Sequence, residues 1–513
     1  MRVRLMHPEK DFDPGAELCA GADELVRDLE LGGIIAAAAG EDRLVGDAVS
    51  QALLCGERDA DAITYRQEVL ADCLAAPELI RELYRLAGDA VRAERRILPF
   101  WSRDEPTGVV TNSVATLEAT AEFMERLRTI ADEHAPRVES RGFRRFFTTI
   151  ARELGEDYLT RMHAQLRELH FPHGAMFSAE LGRANRALHY VARRAPDRGL
   201  LGRLGLRRSG YRFTIPDRDE AGFQALKEME NRGLREVAGV VGQARDHVKA
   251  FFAALERELA FYVGALNLCD ALERASSPLT TPRLAARGEL DFTAEGLYDV
   301  ALALTLGRAP VPNAVAAKDR ALIMITGANE GGKSTLLRAI GQAQLMAQAG
   351  LPVGASAVRL SLRSGVFTHF KREEDSTMKS GKLDEELSRM SRIADRIAPG
   401  GLLLCNESFS STNEREGSEI ARQVIRAMLD SSVRVAFVTH QFDLADGFWS
   451  EGRRDALFLR AQRTDGGERT YRLEVGRPLP TSYGTDSYRA VFGRALEAPR
   501  PSGLGDESAA ARS

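Results

Sequence analysis

The stretch ALIMITGANEGGKST, residues 321–335, decides the fold of the C-terminal half. A short apolar run leads into a glycine-rich loop that fits G-x-x-x-x-G-K-[ST], with Gly327, Gly332, Lys333 and Ser334 at the fixed positions. A helix-forming stretch follows, so the loop joins a strand to a helix, where backbone N–H groups can bind phosphate. Lys333 is expected to reach the β- and γ-phosphates, and Ser334 to bind Mg²⁺. A chance glycine-rich turn is the alternative, and the strand–loop–helix order argues against it.

Two further apolar strands end in polar residues. GLLLCN (401–406) runs into Glu407, which is placed to polarise a water on the γ-phosphate. VRVAFVT (433–439) runs into His440, which can sense the γ-phosphate or position that water. In isolation each would be read as a structural residue. The glycine-rich loop favours a functional reading of Glu407, whereas for His440 the structural alternative stays open at this point. We expect GLLLCN to be the direct neighbour of ALIMIT in the sheet.

The spacing of apolar residues divides the chain into two parts. From about residue 20 to 275 the pattern is helical almost throughout. Residues 221–273 have almost no helix breaker after Gly242 and predict one arm of a long antiparallel helical pair, with 117–169 as the other arm. After residue 277 strands and helices alternate, which predicts a mostly parallel sheet with helices on both faces.

Composition limits the possible classes of protein. The chain has 513 residues, a net charge of -4, 44% hydrophobic and 28% charged residues, which is typical of a multi-domain globular protein. This charge argues against a uniformly basic coat for nucleic acid, although a local basic face remains possible. Five scattered cysteines without a C-x-x-C pair suggest neither zinc nor disulfides. Without a signal peptide or an apolar span, we expect a cytoplasmic protein that has no membrane partner.

Together these motifs resemble the ATPase domain of the MutS family of DNA mismatch-repair proteins. GANEGGKST is similar to the family's GPNMGGKST, and it keeps the loop asparagine, Asn329. NESFSSTNEREG (406–417) is similar to DE-x-GRGTST-x-DG, and VTHQFDL (438–444) to ATH-x-x-EL. Weaker similarities to family segments lie at GRAPVPNAV (307–315), AITYRQEVLADCL (62–74) and SYGTDSYRAVFG (482–493). The resemblance covers nearly the whole chain and is most specific in its C-terminal half.

The resemblance implies an ATP site with defined residues. Glu407 and His440 take the catalytic positions, and Ser334 and Asn406 the metal positions. The cofactors are expected to be ATP and Mg²⁺. The nucleotide-binding positions are Gly327, Asn329, Gly331, Gly332, Lys333, Ser334 and Thr335.

Asn406 is the main departure from the family pattern, which has aspartate there. An asparagine can accept a hydrogen bond from a metal-bound water, but it brings no negative charge. We therefore expect weaker Mg²⁺ retention and slow but real ATP hydrolysis, with nucleotide binding largely intact.

The family's signature loop, which reaches the partner subunit's nucleotide, corresponds to STMKSGKLDEELSRM (376–390). Glu386 matches the family glutamate, Gly381 occupies the serine position, and Ser380 flanks it. A solvated helix surface is the alternative reading. Ahead of the helical core we expect no room for the family's mismatch-reading domain. We therefore expect a shortened relative, acting as a homodimer, whose ability to recognise mismatches is in doubt.

A cluster of arginines is the candidate contact with DNA, at a loop or tip near residues 193–219 that carries one short strand, GYRFTI (210–215). Contacts of this kind are made to the DNA backbone and depend on salt. A solvated loop is the alternative reading. The cluster consists of Arg193, Arg194, Arg203, Arg207 and Arg208.

The fold class predicted from these patterns is multi-domain: an all-α core with a long antiparallel helical lever or clamp, followed by an α/β P-loop ATPase domain of the ABC type. The function predicted is a DNA-binding ATPase in repair or recombination. An ABC/SMC-like ATPase that tethers DNA without a mismatch-repair role, or a nucleotide-switched scaffold with little hydrolysis, are the alternatives. The predicted boundaries are 1–116 for the core, 117–276 for the lever arms, 277–495 for the ATPase domain and 496–513 for a disordered tail.

Overall fold

The computed structural model describes residues 1–97, 105–172, 174–183, 187–194, 214–328, 331–372, 381–463 and 469–479. Two compact units are present, and they interleave along the chain. The helical unit comprises residues 1–19, 32–276 and 345–352, and the α/β unit comprises 20–31, 277–344 and 353 onward. The finer division into four segments stays a prediction. Among the described residues, no helix is both long and apolar enough to cross a membrane.

The helices and strands are numbered here in chain order. The helices are α1 (Ala22–Asp28), α2 (Leu31–Ala39), α3 (Arg43–Leu54), α4 (Ala60–Ala75), α5 (Pro77–Ile97), α6 (Pro106–His134), α7 (Arg141–Glu153), α8 (Glu156–Leu169), α9 (Glu220–Arg274), α10 (Val300–Leu306), α11 (Lys333–Ala349), α12 (Lys382–Ala394), α13 (Glu414–Asp430) and α14 (Phe442–Ser450). The strands are β1 (Met176–Leu181), β2 (Ala187–Arg193), β3 (Arg283–Leu284), β4 (Phe292–Leu297), β5 (Asn313–Ala316), β6 (Leu322–Thr326), β7 (Ala357–Leu360), β8 (Val366–Phe370), β9 (Leu402–Asn406), β10 (Arg434–Val438), β11 (Ala456–Arg463) and β12 (Arg469–Val475).

The helical unit is organised around α9, a helix of 55 residues that packs on α3, α5 and α6. Its N-cap is Asp219, whose side chain accepts a hydrogen bond from the N–H of Gly222. Apolar residues at spacings of three and four, such as Phe252, Leu255 and Leu259, form its buried stripe. The long helix predicted from the sequence is therefore present.

The second arm is not one helix, contrary to the expectation for residues 117–169. The chain forms α6, a 3-10 turn at Ala135–Arg137, α7 and α8. Pro136 lies in that turn, where its missing N–H stops α6 from continuing. The Ser140 hydroxyl then accepts from the N–H of Phe143 and starts α7 as a new helix.

A hairpin of β1 and β2 precedes the expected tip, and the sequence analysis missed it. The strands are antiparallel, with Met176 paired to Arg193, and most of their side chains are exposed. None of the strand side chains is fully buried, so the hairpin lacks the alternation that reveals a half-buried strand. The strand expected at 210–215 lies mostly outside the described residues.

Glu258 on α9 is a buried carboxyl group in the helical unit. It accepts hydrogen bonds from the N–H groups of Leu5, Met6 and Phe12. Burial nevertheless dominates and raises the pKa of Glu258 to about 7. The folded protein therefore holds this proton more tightly than the unfolded chain does.

The stability that this proton contributes should be fully present below the ordinary pKa of 4.5 and should be lost as the pH rises to about 7. Relative to Glu258→Gln, which cannot titrate, the parent should lose up to about 1.4 kcal/mol per pH unit in this window. Urea unfolding of both proteins at several pH values measures the difference. Glu236→Gln, an exposed change on the same helix, is the control. Parallel stability curves for the parent and Glu258→Gln would contradict the raised pKa.

The α/β unit contains a six-stranded sheet in the order β12-β11-β6-β10-β9-β8. All its neighbouring pairs are parallel except β11 and β12, which confirms the mostly parallel sheet. The expected direct pairing of GLLLCN with ALIMIT is wrong, because β10 lies between β6 and β9. A smaller sheet has the order β3-β7-β4-β5.

Helices cover both faces of the larger sheet, as predicted. Leu403 and Cys405 of β9 face one side, in a cluster with apolar residues of α12, α13 and α14. Leu404 faces the other side of the sheet and packs closely on α11. A Cβ added to Gly341 of α11 would lie only 2.7 Å from Leu404 Cδ1. Val438 pairs with both Ile325 and Asn406, so the carboxyl ends of β6, β10 and β9 are level. This alignment brings the three predicted motifs to one edge of the sheet.

Candidate nucleotide-binding site

The loop between β6 and α11 depends on glycine for its conformation. Gly327 and Gly332 have φ angles of +125° and +87°, which side-chain-bearing residues rarely adopt. The N–H of Gly331 donates to the carbonyl oxygen of Ala328 at 3.2 Å. Asn329 lies outside the described residues. The loop then enters α11 at Lys333.

The same glycines allow the loop to pack closely on β11 and β12. A Cβ on Gly327 or Gly331 would lie 2.6 or 2.8 Å from the Cβ of Ala461 on β11. A Cβ on Gly332 would lie 3.1 Å from the carbonyl oxygen of Tyr471 on β12. These contacts connect residues far apart in sequence, and the motif alone does not predict them.

Two polar residues at the start of α11 face the ends of the neighbouring strands. Lys333 is buried, and its Nζ donates to the carbonyl oxygens of Gly327 and Ala328 at 2.7 and 2.8 Å. Burial lowers its pKa, and the negative charge of Glu407 opposes that shift. Ser334 Oγ donates to Asn406 Oδ1 at 2.8 Å. Thr335, the last residue of the motif, lies in the first turn of α11 and is partly buried.

The chain turns sharply where β9 ends. Glu407 and Phe409 both have a positive φ, of 53° and 61°, although neither is glycine. The N–H of Glu407 donates to the carbonyl oxygen of Val438 at 2.9 Å, which ties the turn to the end of β10. Strained backbone of this kind persists only where the surrounding structure holds it, and it concentrates at functional sites.

Glu407 and His440 lie side by side at this edge. Their Oε1 and Nδ1 atoms are 3.8 Å apart, and both side chains are partly open to solvent. The neighbouring His440 lowers the pKa of Glu407, and the charges of Lys333 and Lys371 act in the same direction. Glu407 is therefore ionised at neutral pH, the state in which a carboxylate can accept a proton.

A buried histidine behind Glu407 was missed by the sequence analysis. His369 of β8 lies between Ser408 and α12, with Nδ1 2.7 Å from Ser408 Oγ and Nε2 3.0 Å from the carbonyl oxygen of Glu386. Its ring also stacks on Phe409, with centroids 5.4 Å apart. Burial lowers the pKa of His369 to about 4, so the ring is neutral and its Nε2–H donates to Glu386. A polar residue inside the apolar strand VFTHF was the available signal.

The sequence of the chain matches two models of one protein family. A family model described as MutS domain V matches residues 323–488, a range that includes Ser334, Asn406, Glu407 and His440. A second model, described as the MutS2 N-terminal domain, matches residues 58–275. The chain belongs to the MutS family.

Curated relatives of this MutS-family chain are similar over part of their length. The DNA mismatch repair protein MutS of Myxococcus xanthus is 28% identical over 52% of this chain and 32% of its own. The endonuclease MutS2 of Carboxydothermus hydrogenoformans is 27% identical over 42% of this chain and 27% of its own. A probable DNA mismatch repair protein Msh6 of Drosophila melanogaster is 32% identical over 31% of this chain and 13% of its own. The chain therefore spans about a third or less of each relative.

The positions predicted to form the signature loop are at and near the start of α12. Gly381 is exposed and directly precedes the helix, and Ser380 lies outside the described residues. Glu386 is buried, and its Oε1 accepts a hydrogen bond from Ser411 Oγ at 2.8 Å. Burial raises the pKa of Glu386. A contact with a partner's nucleotide would require this carboxyl to leave Ser411, and that role stays a prediction.

The arginines predicted to contact DNA are described only in part. Arg193 is exposed on β2, and its Nε donates to Ser178 Oγ at 2.8 Å. Arg194 forms an ion pair with Glu168, with Nη2 and Oε1 2.6 Å apart. The remaining three, Arg203, Arg207 and Arg208, lie outside the described residues.

Proposed function

We propose that this MutS-family protein binds Mg²⁺-ATP at the loop between β6 and α11 and hydrolyses it slowly, as the ATPase of a DNA-binding protein. The observation that carries the proposal is the hydrogen bond from Ser334 Oγ to Asn406 Oδ1, 2.8 Å long. It joins the serine that follows the motif lysine to the polar end of β9. This bond links the end of β9 to the phosphate loop, which supports a role for β9 in the site.

Ser334 and Asn406 fit the hard oxygen ligands that Mg²⁺ prefers. Their two oxygens are close enough to bind one ion or its water ligands, and Mg²⁺ commonly keeps several waters. When bound, the ion would neutralise charge between the β- and γ-phosphates. Both side chains are neutral, so the protein contributes little charge of its own to metal binding.

Each remaining residue has a defined task in the proposed reaction. Lys333 exchanges its two loop carbonyls for phosphate oxygens and brings a positive charge to them. Glu407 accepts a proton from the attacking water, since its carboxylate is ionised at neutral pH. His440, 3.8 Å from that carboxylate, helps to hold the water and the carboxylate in place. Behind them, the hydrogen bond between His369 and Ser408 fixes the turn that carries Glu407.

The proposal includes DNA as partner and a homodimer as the working form. Backbone-directed contacts would come from the arginine cluster that begins at Arg193, beside the hairpin of β1 and β2. ATP bound near the signature positions, Gly381 and Glu386, would lie between two ATPase domains and control the helical arms as a clamp. We propose a cytoplasmic location for this activity. MutS membership and the 55-residue α9 support this arrangement.

The experiment that tests the ATPase is steady-state turnover of the parent and of Asn406→Asp, with and without duplex DNA. The aspartate restores a negative charge beside the metal position, so we expect turnover to rise several-fold. Asn413→Asp is the matched control, because Asn413 caps α13 and aspartate caps equally well.

Equal turnover in the parent and Asn406→Asp would contradict the weakened-metal explanation. Nucleotide binding without turnover in either protein would instead favour the nucleotide-switched scaffold.

A further inference from the structure

The helical unit contains a basic recess of about 700 Å³, separate from the residues assigned above. It is formed by the N-terminal segment, one face of α7 and one residue of α9. We define the basic recess by Arg2, Arg4, Arg144, Arg145, Arg152 and His247. The chain as a whole carries a net charge of -4, so this concentration of arginine is local.

The charges in the basic recess are only partly neutralised. Five arginines line it, against one carboxylate, that of Glu153. Glu153 contacts Arg152 at 3.1 Å and also the amine of Met1 at 2.9 Å. The lining has a net positive charge.

Backbone carbonyls orient two of the arginines without neutralising them. Arg144 Nε donates to the carbonyl oxygen of Val138 at 3.2 Å, and Arg145 Nη1 donates to that of Pro8. Each guanidinium has five N–H donors, so each keeps donors for a ligand. A guanidinium fixed in this way loses less entropy when it binds phosphate.

Arg4 is held in the recess by a strained backbone. Its φ is +53°, and its carbonyl oxygen accepts from the hydroxyl of Tyr65 at 2.7 Å. Its side chain is largely buried, and Nε has no hydrogen-bond partner among the described residues. The nearest carboxylates, those of Glu9 and Asp11, are each 3.8 Å away. These ion pairs are long, and a buried guanidinium nitrogen without a hydrogen bond is costly.

The groups on α7 are spaced along a line. Arg144, Thr148 and Arg152 follow each other at four-residue intervals, so they lie on one face about 6 Å apart along the axis. A row of donors of this kind suits a chain of phosphates better than a single anion. The basic recess, at about 700 Å³, is small compared with a duplex, so a single strand is the ligand considered.

We propose that the basic recess binds the phosphodiester backbone of a DNA strand. The proposal rests on the DNA-binding function proposed above, and it places a contact in the helical unit that is independent of the arginine cluster beginning at Arg193. Binding is through phosphates, so it does not depend on base sequence and weakens with salt.

The test uses the full-length chain and fluorescence anisotropy with a labelled 20-nucleotide single strand and the matching duplex. In Arg144→Gln/Arg152→Gln, both replaced side chains are exposed. We expect single-strand affinity to fall at least tenfold at low salt. Two lost phosphate contacts should also reduce the slope of log affinity against log salt by about 1.4. Arg2→Gln/Arg152→Gln is a second variant, which keeps the hydrogen bond from Arg144 to Val138. It should show the same loss of affinity and the same reduction in slope.

Arg43→Gln/Arg85→Gln removes the same charge from exposed positions of the same unit and is the control. If both recess variants keep parental affinity and slope while the parent binds DNA, the basic recess proposal fails and the DNA-binding function stands. If the folded parent binds neither DNA form at low salt, both fail. Binding of inorganic tripolyphosphate that both recess variants lose, with oligonucleotide binding unchanged in those variants, would assign the recess to a small anion and overturn the DNA proposal. Thermal unfolding of each variant confirms that it is folded.

Discussion

Glu407→Gln should reduce steady-state ATP turnover by at least about a hundredfold, the typical contribution of a general base. Glutamine keeps the size of the side chain but cannot accept a proton from water. The nearby His440 lowers the pKa of Glu407, so the parent carboxylate is ionised throughout the neutral range. Phosphate release measures turnover, and a fluorescent ATP analogue measures binding, which should stay close to the parental value.

Glu295→Gln on β4 is the control for this change, since it removes an exposed carboxylate from the same unit. It should leave turnover unchanged. Parental turnover in Glu407→Gln would exclude Glu407 as the base and would require another group to activate the water. Loss of both binding and turnover would instead indicate that the turn after β9 has moved.

Elements of the sheet were predictable where the signal was local. ALIMIT, GLLLCN and VRVAFVT are short apolar runs with polar ends, and each forms a buried parallel strand. Their order was not predictable in the same way. The position of β10 between β6 and β9 is set by how the crossover helices pack, and no residue within the three strands encodes it.

The helical unit shows the same limit. The periodicity of α9 extends over its whole length, so one pattern sufficed to predict it. The interruption of the second arm depends on single residues, Pro136 and Ser140, within a stretch that is otherwise periodic. The hairpin of β1 and β2 has mostly exposed side chains and no fully buried one, so it shows little alternation of apolar and polar residues.

In the candidate site, the fixed-spacing motifs were found because each lies within a few residues. The hydrogen bond between Ser334 and Asn406 joins residues 72 positions apart, and the resemblance placed both at the metal position without predicting that they would bond to each other. The contact of His369 with Ser408 spans 39 residues and belongs to no motif. The burial of Glu386 was likewise invisible, because its helix is rich in charged residues. The motifs therefore predict several residues of the candidate site, but they do not predict the long-range polar contacts that join those residues.

Lys333→Ala should weaken nucleotide binding by about 10- to 150-fold, which corresponds to the loss of one charged hydrogen-bonding group worth about 1.5–3 kcal/mol. Lys333 is buried, and its Nζ already donates to Gly327 and Ala328 within the loop. Those carbonyls hold the side chain over the loop without neutralising its charge, so a phosphate gains both a donor and a positive charge.

The same change tests whether the loop of Lys333 is the nucleotide site at all. Titration with a fluorescent ATP analogue measures affinity, and Lys318→Ala, an exposed lysine of the same unit, should bind like the parent. Alanine leaves two loop carbonyls without their donor, so a small fall in thermal stability is expected and must be separated from the loss of affinity. Parental affinity in a folded Lys333→Ala would mean that phosphate binds elsewhere. The pairing of Ser334 with Asn406 would then be structural, because a phosphate held at this loop cannot avoid the lysine that closes it.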